Sequence, residues 1–435
     1  MADPSAPESR VFAWFRSLPG LFMIVRRSLR QHALSTSVTV LSVALAIGLT
    51  MAVFSVSAQT RKAFTGGPVG FDAVLGARGS QLQLVMNTVF HLETSPGNIP
   101  WSLYESVRND PTVELAIPYA VGDNYRGFRI VGTTQEMFTK FEYQKDRGFQ
   151  IQPPGRVFET LSQEAVIGSR VAEKTGLTYG SKFNAFHGVV YDERQKHDQE
   201  FTVVGVLEPT NSPSDKVIWI PVEGVYLMDG HVLRKGNQIY KPKRTERIPA
   251  EFKELSAVMI KFKNPALGWP MSQTVNNQGK VATLAWPIGK VMAELFDKMG
   301  WVTEILRLVA YMVVLVAAAS ILASIYNTMN ERRREFAILR ALGASRGTVF
   351  AVIVFEAKVI AILGCLVGFV VYGLILWLVA VVVRQQTGVA LDLLAFDWAL
   401  VWTPVSMIVL GSLSGLLPAF KAYRTDVASN LLPTS

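Results

Sequence analysis

Leu308-Val-Ala-Tyr-Met-Val-Val-Leu-Val-Ala-Ala-Ala-Ser-Ile-Leu-Ala-Ser-Ile-Tyr-Asn-Thr-Met329 runs without a charge and is followed at once by Asn330-Glu-Arg-Arg-Arg-Glu-Phe-Ala-Ile-Leu-Arg-Ala-Leu-Gly-Ala-Ser-Arg-Gly347. The uncharged run is long enough to cross a hydrocarbon core roughly 30 Å thick. In lipid its backbone groups must bond to one another, so it reads as a helix. Leu34 to Ala58, Val359 to Val383 and Trp398 to Phe420 read the same way. The apolar pattern of the third span begins earlier, after Thr348, with Val349, Phe350, Val352 and Phe355. The chain is therefore expected to be a membrane protein with four transmembrane α-helices.

Working outward, the basic residues set the orientation. Arg16, Arg26, Arg27 and Arg30 precede the first span, Arg332, Arg333, Arg334, Arg340 and Arg346 lie between the second and third, and Lys421 and Arg424 follow the fourth. Lys and Arg are retained on the cytoplasmic side, so both termini and the Arg-rich connector are expected there. The implied divisions are a cytoplasmic amphipathic segment 1–33, spans 34–58, 302–329, 348–383 and 398–420, an outward domain 59–301, a cytoplasmic connector 330–347, a short outer loop 384–397 and a cytoplasmic tail 421–435. The same placement explains the net charge of +9 on a chain of 435 residues that is half hydrophobic. Basic residues at membrane edges account for it without nucleic acid, and membrane lipids are the expected surroundings.

The first span is not expected to be a cleaved signal, although Val56-Ser57-Ala58 resembles a cleavage site, because the segment before it is far too long. Phe12, Trp14, Phe15, Leu18, Leu21, Phe22 and Val25 alternate with arginines there, which suits a helix in the membrane interface, interrupted at Pro19. Ala44 with Gly48, and Gly364 with Gly368, stand at small-xxx-small spacing, expected where helices touch closely, within the subunit or at a dimer seam. The single cysteine, Cys365, lies in an apolar run, so no intramolecular disulfide or cysteine-based zinc site is expected.

From Gln59 to Trp301 mixed charge and frequent Gly and Pro indicate a folded domain. Short β-type runs at Phe128 to Val131, Ala165 to Ile167, Phe201 to Leu207, Val217 to Pro221 and Ala257 to Phe262 alternate with short helices at Ser102 to Arg108, Gln135 to Phe141 and Ser169 to Lys174. The expected fold is a large α+β domain inserted between the first two transmembrane helices. The stretch His187 to Glu200 and the basic segment Arg234 to Arg247 read as loops or a flap. Val85 to Leu92 and Trp219 to Leu227 read as core, or else as a docking surface. His187, His197, His231, Asp192 and Glu193 lack the tight spacing of a metal motif and read as solvated loop residues, so no metal is expected. No Gly-x-Ser-x-Gly elbow occurs and no catalytic residue is assigned.

The segment Asn327 to Arg346, with Glu356 early in the third span, resembles the signature of FtsX-type permeases. Gly155-Arg-Val-Phe158, Glu164-Ala-Val-Ile-Gly-Ser169, Val171-Ala172 and Phe201-Thr-Val-Val-Gly-Val-Leu207 resemble the MacB-type periplasmic domain, and Pro418 to Arg424, Asp426 and Leu431 the family's ending. The chain as a whole resembles a permease of the MacB/FtsX/LolC-type ABC transporters. On its own chemistry the connector is a short amphipathic helix, with Phe336, Ile338, Leu339 and Leu342 among Arg334, Glu335 and Arg340, and Gly343 as its stop. The resemblance implies that this coupling helix docks on an ATP-binding cassette subunit, through Glu331, Arg334, Glu335, Ile338, Leu339, Arg340, Leu342 and Gly343.

No Gly-x-x-x-x-Gly-Lys-Ser/Thr motif occurs here, so ATP and Mg are expected on a separate cytoplasmic ATPase, of which the resemblance implies two copies, with no cofactor on this chain. The resemblance further implies the bacterial inner membrane, a second permease in a homodimer and a periplasmic adaptor or target. It implies mechanotransmission that drives export or extraction of a hydrophobic cargo: lipoprotein, drug, peptide or haem. The alternative is a non-transporting regulator of a cell-wall hydrolase or sensor kinase.

Overall fold

The computed structural model describes residues 10–66, 70–188, 192–228, 233–235, 238–240, 247–341 and 344–424. The chain divides into two compact units. One holds the described residues up to Ala58 with Trp301–Val379 and the chain from Asp392 on; the other holds Gln59–Gly300 with Ala380–Leu391.

The first unit is helical. A helix over Arg10–Gln31 precedes helices Ala33–Gly66, Gly300–Glu331 and Arg346–Thr387, and a last pair, Ala399–Ser414 and Leu416–Arg424, is broken only at Gly415. Four of these segments are long and apolar enough to cross a membrane. They outrun the apolar stretches read from the sequence because a helix continues while each backbone N–H finds its partner, whatever the side chains. At 1.5 Å per residue the 34 residues of Ala33–Gly66 extend about 51 Å. Leu41, Leu315 and Val370 stay exposed on these helices, as suits side chains that face acyl chains. Pro19, expected to interrupt the N-terminal helix, lies inside it without a break.

The second unit is built on nine strands: β1 Ala73–Ala77, β2 Val113–Tyr125, β3 Phe128–Thr133, β4 Glu164–Ile167, β5 Lys182–His187, β6 Lys196–Val206, β7 Val217–Pro221, β8 Ala257–Phe262 and β9 Ala282–Ala285. Their order is β9-β1-β8-β2-β3-β7-β4-β6-β5, and β5 also pairs with β2. That last pairing closes six strands, β2-β3-β7-β4-β6-β5, into a ring. Strand β2 serves both parts, with Val113 to Tyr119 paired to β8 and Ala120 to Tyr125 paired to β3. Neighbouring residues point to opposite faces, so Ile218 and Ile220 join one core while Val217 and Trp219 join another. With both faces covered, β7 is buried throughout, which is why Val217-Ile-Trp-Ile-Pro221 reads as an unbroken apolar run.

Two loop expectations are corrected. Lys196 to Glu200 is strand, not loop: Lys196, Asp198 and Glu200 are exposed while His197 and Gln199 are buried. The alternation is regular, but polar side chains fill its inward positions, so hydropathy does not reveal it. Within the basic segment, Leu233–Lys235 pairs with Gln238–Tyr240 as a hairpin. Residues 236–237 and 241–246 and His231 lie outside the described residues. Val85, Val89 and Phe90, and Trp219 to Tyr226, are core, and Leu92 is exposed.

Trp219 anchors an aromatic cluster with Tyr119, Phe138, Phe149 and His91, whose ring centroid lies 6.0 Å away. Burial, and after it the charge of Arg129, push the His91 imidazole down to about 3. An unfolded histidine titrates near 6.5, so between these values the unfolded chain binds a proton that the folded domain refuses, and stability falls as pH drops below about 6.5. His91 has φ +55°, a conformation asparagine tolerates. His91→Asn is expected to remove about 2 kcal/mol of the stability lost between pH 7 and pH 5, read as a smaller pH dependence of thermal melting in detergent.

Candidate functional site

Between the second and third spans the chain turns at Arg332 and continues as helix Arg333–Ala341. The turn keeps helical bonding on both sides, with Arg332 N–H donating to Thr328 O (3.0 Å) and Phe336 N–H to Arg332 O (3.1 Å). Phe336 and Ala337 are buried, while Glu331, Arg334, Glu335 and Ile338 are exposed. Arg334 and Glu335 stand four and three residues before Ile338 on the connector helix and so share one face with it, while Glu331 ends the preceding helix before the turn. Phe336, which is not among the residues expected to dock, packs inward, and Ile338, 45% exposed, points outward. Arg340 is half-buried. Leu342 and Gly343 lie outside the described residues, and for Leu339 only the backbone is described.

Three helices meet at the turn. Arg332 Nη1 donates to Ser28 Oγ (2.5 Å) and to Glu356 Oε2 (3.4 Å), and Ser28 Oγ–H donates to Glu356 Oε1 (2.6 Å). Arg332 Nε donates to Glu335 Oε2 (2.9 Å), and its guanidinium carbon lies 5.0 Å from the centre of the Phe336 ring. That guanidinium holds the Glu335 carboxyl below the usual carboxylate range. Ser28, Arg332 and Glu356 are all buried, so the N-terminal helix, the connector and the third span share one polar cluster. Nearby, His32 Nδ1 lies 3.2 Å from Glu331 Oε2. Ser28 carries no motif of its own; the signal that marks it is its polarity at an inward position of its helix.

The small residues lie on a single seam between the first and third spans. A Cβ on Gly48 would stand 2.6 Å from Val371 Cγ1 and 3.0 Å from Gly368 O; one on Gly364, 2.3 Å from Val43 Cγ1; one on Gly368, 3.0 Å from Ile47 Cγ2 and 3.3 Å from Ala44 O. This close approach is made inside the chain. Cys365 is buried on the same helix and its thiol faces Pro404 O at 3.7 Å.

In the large unit, Asp192 caps a short turn, accepting from Arg194 N–H (3.0 Å) and its guanidinium. Glu193 is exposed. His197, by contrast, is buried beside Asp123, a residue left out of the sequence reading.

Two family models match the chain: the MacB-like periplasmic core domain over residues 36–267 and the FtsX-like permease C-terminal domain over residues 307–427. An uncharacterized ABC transporter permease of Methanocaldococcus jannaschii is 24% identical over 305 residues, which are 67% of either chain. The ABC transporter permease YtrF of Bacillus subtilis is 28% identical over 131 residues, 27% of this chain and 29% of its own. This chain therefore spans about two thirds of the first relative and under a third of the second. Solved structures with some similarity are the extracellular domain of the noncanonic ABC-type transporter YknZ from Gram-positive bacteria (TM-score 0.29, 14% identity, 49% of this chain, 99% of that one) and the periplasmic region of MacB from Actinobacillus actinomycetemcomitans (TM-score 0.32, 10% identity, 53% of this chain, 94% of that one).

Breaking a buried ion pair leaves a charge without its counterpart, a loss of about 3–5 kcal/mol, whereas replacing both partners by apolar groups is often neutral. Arg332→Leu and Glu356→Leu are each expected to destabilise by about that amount, and the double variant to regain most of it, in thermal melting in mild detergent. Gly364→Ala is expected to cost about 1–3 kcal/mol through overpacking, relieved by Val43→Ala, in the same assay.

Proposed function

The chain belongs to the FtsX-like permeases that carry a MacB-like periplasmic core domain, and from that membership we propose that this ABC transporter permease acts as a lever worked by a separate ATPase. The observation that carries the reading is the two-sided connector Arg333–Ala341. One side is held by Phe336 and Ala337, beside Arg332 at the turn; the other offers Arg334, Glu335 and Ile338 to solvent, a mixed charged and apolar stripe suited to a groove on a partner.

In this reading two copies of a cytoplasmic ATPase, which hold ATP and Mg, close against the connectors of two identical permeases. Each connector is pinned by Arg332 to Ser28 and Glu356, so displacement of the exposed face moves the N-terminal helix and the third span together. Packed glycine contacts between the first and third spans carry the motion onward without slack. The basic residues at the membrane edges favour the inner membrane, with both termini and the connector cytoplasmic and the α+β domain in the periplasm.

The cargo is taken to be hydrophobic: a lipoprotein, a drug or peptide, or haem. Among the described residues the charged side chains buried in the first unit are Arg332 and Glu356, and each faces the other. Such a bundle offers little to a polar solute, which suits a cargo collected outside the bundle by the periplasmic domains and their adaptor.

Purification of the full chain from native membranes in mild detergent is expected to bring down a P-loop ATPase. Arg334→Glu with Ile338→Asp should lower the recovered ATPase at least about tenfold while leaving the melting temperature unchanged, since both residues face solvent. Absence of any ATPase with the folded wild-type chain would overturn the proposal.

A further inference from the structure

The closure of the six-stranded ring rests on a short seam. Among the described residues, strands β5 and β2 pair at Asp123↔His187 and Asn124↔Phe186, next to a bulge in β2 between Val121 and Asp123. At that point three side chains from three different strands converge. Asp123 Oδ1 lies 3.2 Å from His187 Nδ1 and 3.2 Å from His197 Nε2, and the donor atoms of all three residues lie within 4.8 Å of one another. The Asp123 side chain is 1% exposed, that of His197 6% and that of His187 57%.

From this geometry we infer that Asp123, His187 and His197 form a binding site for a divalent transition-metal ion of borderline softness, with Zn²⁺ as the best match. Tetrahedral Zn²⁺ with ligands at about 2.0–2.1 Å sets neighbouring ligand atoms about 3.3 Å apart, close to both observed separations. Two imidazoles and one carboxylate are the donor set that suits zinc and its neighbours rather than calcium or magnesium, which take oxygen ligands. The arrangement is also electrostatically reasonable: a nearly inaccessible carboxylate between two imidazoles is balanced by a dication. The half-exposed His187 leaves one side open, where water or a donor atom from a bound partner completes four-coordination.

The backbones that present the ligands are fixed independently of any ion. Asn124 Nδ2 donates to Phe186 O (3.3 Å) and Gly188 O (2.9 Å), on either side of His187. Asn184 Nδ2 donates to the carbonyls of His197, Asp198 and Gln199 at 3.1–3.3 Å. Such support keeps ligand positions pre-set, and an ion bound across β2, β5 and β6 would clamp the ring at the short seam that closes it. The inference stands apart from the permease reading, since it concerns only the fold of the large unit.

The test uses the tag-free full chain in detergent, stripped of metal with a chelator and titrated with Zn²⁺ against a chromophoric competitor. The expected result is one Zn²⁺ per chain at micromolar affinity or tighter, a melting temperature that rises with Zn²⁺, and the intense visible bands of a tetrahedral complex when Co²⁺ is substituted. His187→Ala, at a half-exposed position, should weaken binding at least about tenfold without changing metal-free melting, and Asp123→Asn, which keeps a hydrogen-bond acceptor, should do likewise. A folded wild-type chain that takes up no stoichiometric Zn²⁺, or equal uptake by the folded His187→Ala chain, would overturn the site and leave a hydrogen-bonded His-Asp-His cluster in its place.

Discussion

The contact on which the helical unit depends is the ion pair of Arg332 and Glu356, closed by Ser28. Removing two charges from water is costly, and their attraction offsets this only when geometry and hydrogen bonding are good. Here the Ser28 hydroxyl both accepts from the guanidinium and donates to the carboxylate, so neither charge rests on the other alone. Ser28 lies 304 positions before Arg332, and Glu356 lies 24 after it, beyond the connector. The pair therefore specifies how the helices are registered, a task that apolar packing, with many near-equivalent arrangements, performs poorly.

The large unit solves a different problem. It has no disulfide and must be held together by packing, which it achieves by covering both faces of one continuous sheet. The thirteen residues of Val113–Tyr125 are shared between an open edge and a closed ring, so the two halves of the domain cannot shift independently. The bulge after Val121 re-aims the strand at the point where the ring closes.

Much of this was legible in the sequence because it depends on strong, local signals. Four apolar runs identified four helices, and unbroken apolar segments such as Val217–Pro221 identified buried strands. The connector's amphipathic character was equally plain, but not which side each apolar residue would take, since that is decided by neighbours such as Ser28 that are hundreds of positions away. The same limit hid the strand at Lys196 to Glu200. His197 is inward because Asp123 receives it, and no local periodicity encodes that partnership. Helix lengths were underestimated for a third reason: hydropathy marks the lipid-compatible middle, whereas hydrogen bonding sets the ends.

The segment Ala380–Leu391 belongs to the large unit although it begins within the last two turns of the long helix Arg346–Thr387. Val389 is buried in that unit's core, Lys216 Nζ donates to Gln386 O at 2.5 Å, and Gly388, at φ +79°, lies so close to Ser212 O that a side chain would not fit. During synthesis Gln59–Gly300 emerges first, and this last piece becomes available only after Trp301–Val379 has been made. The domain is consequently an unfinished body until a piece lying some eighty residues beyond its main part has been made.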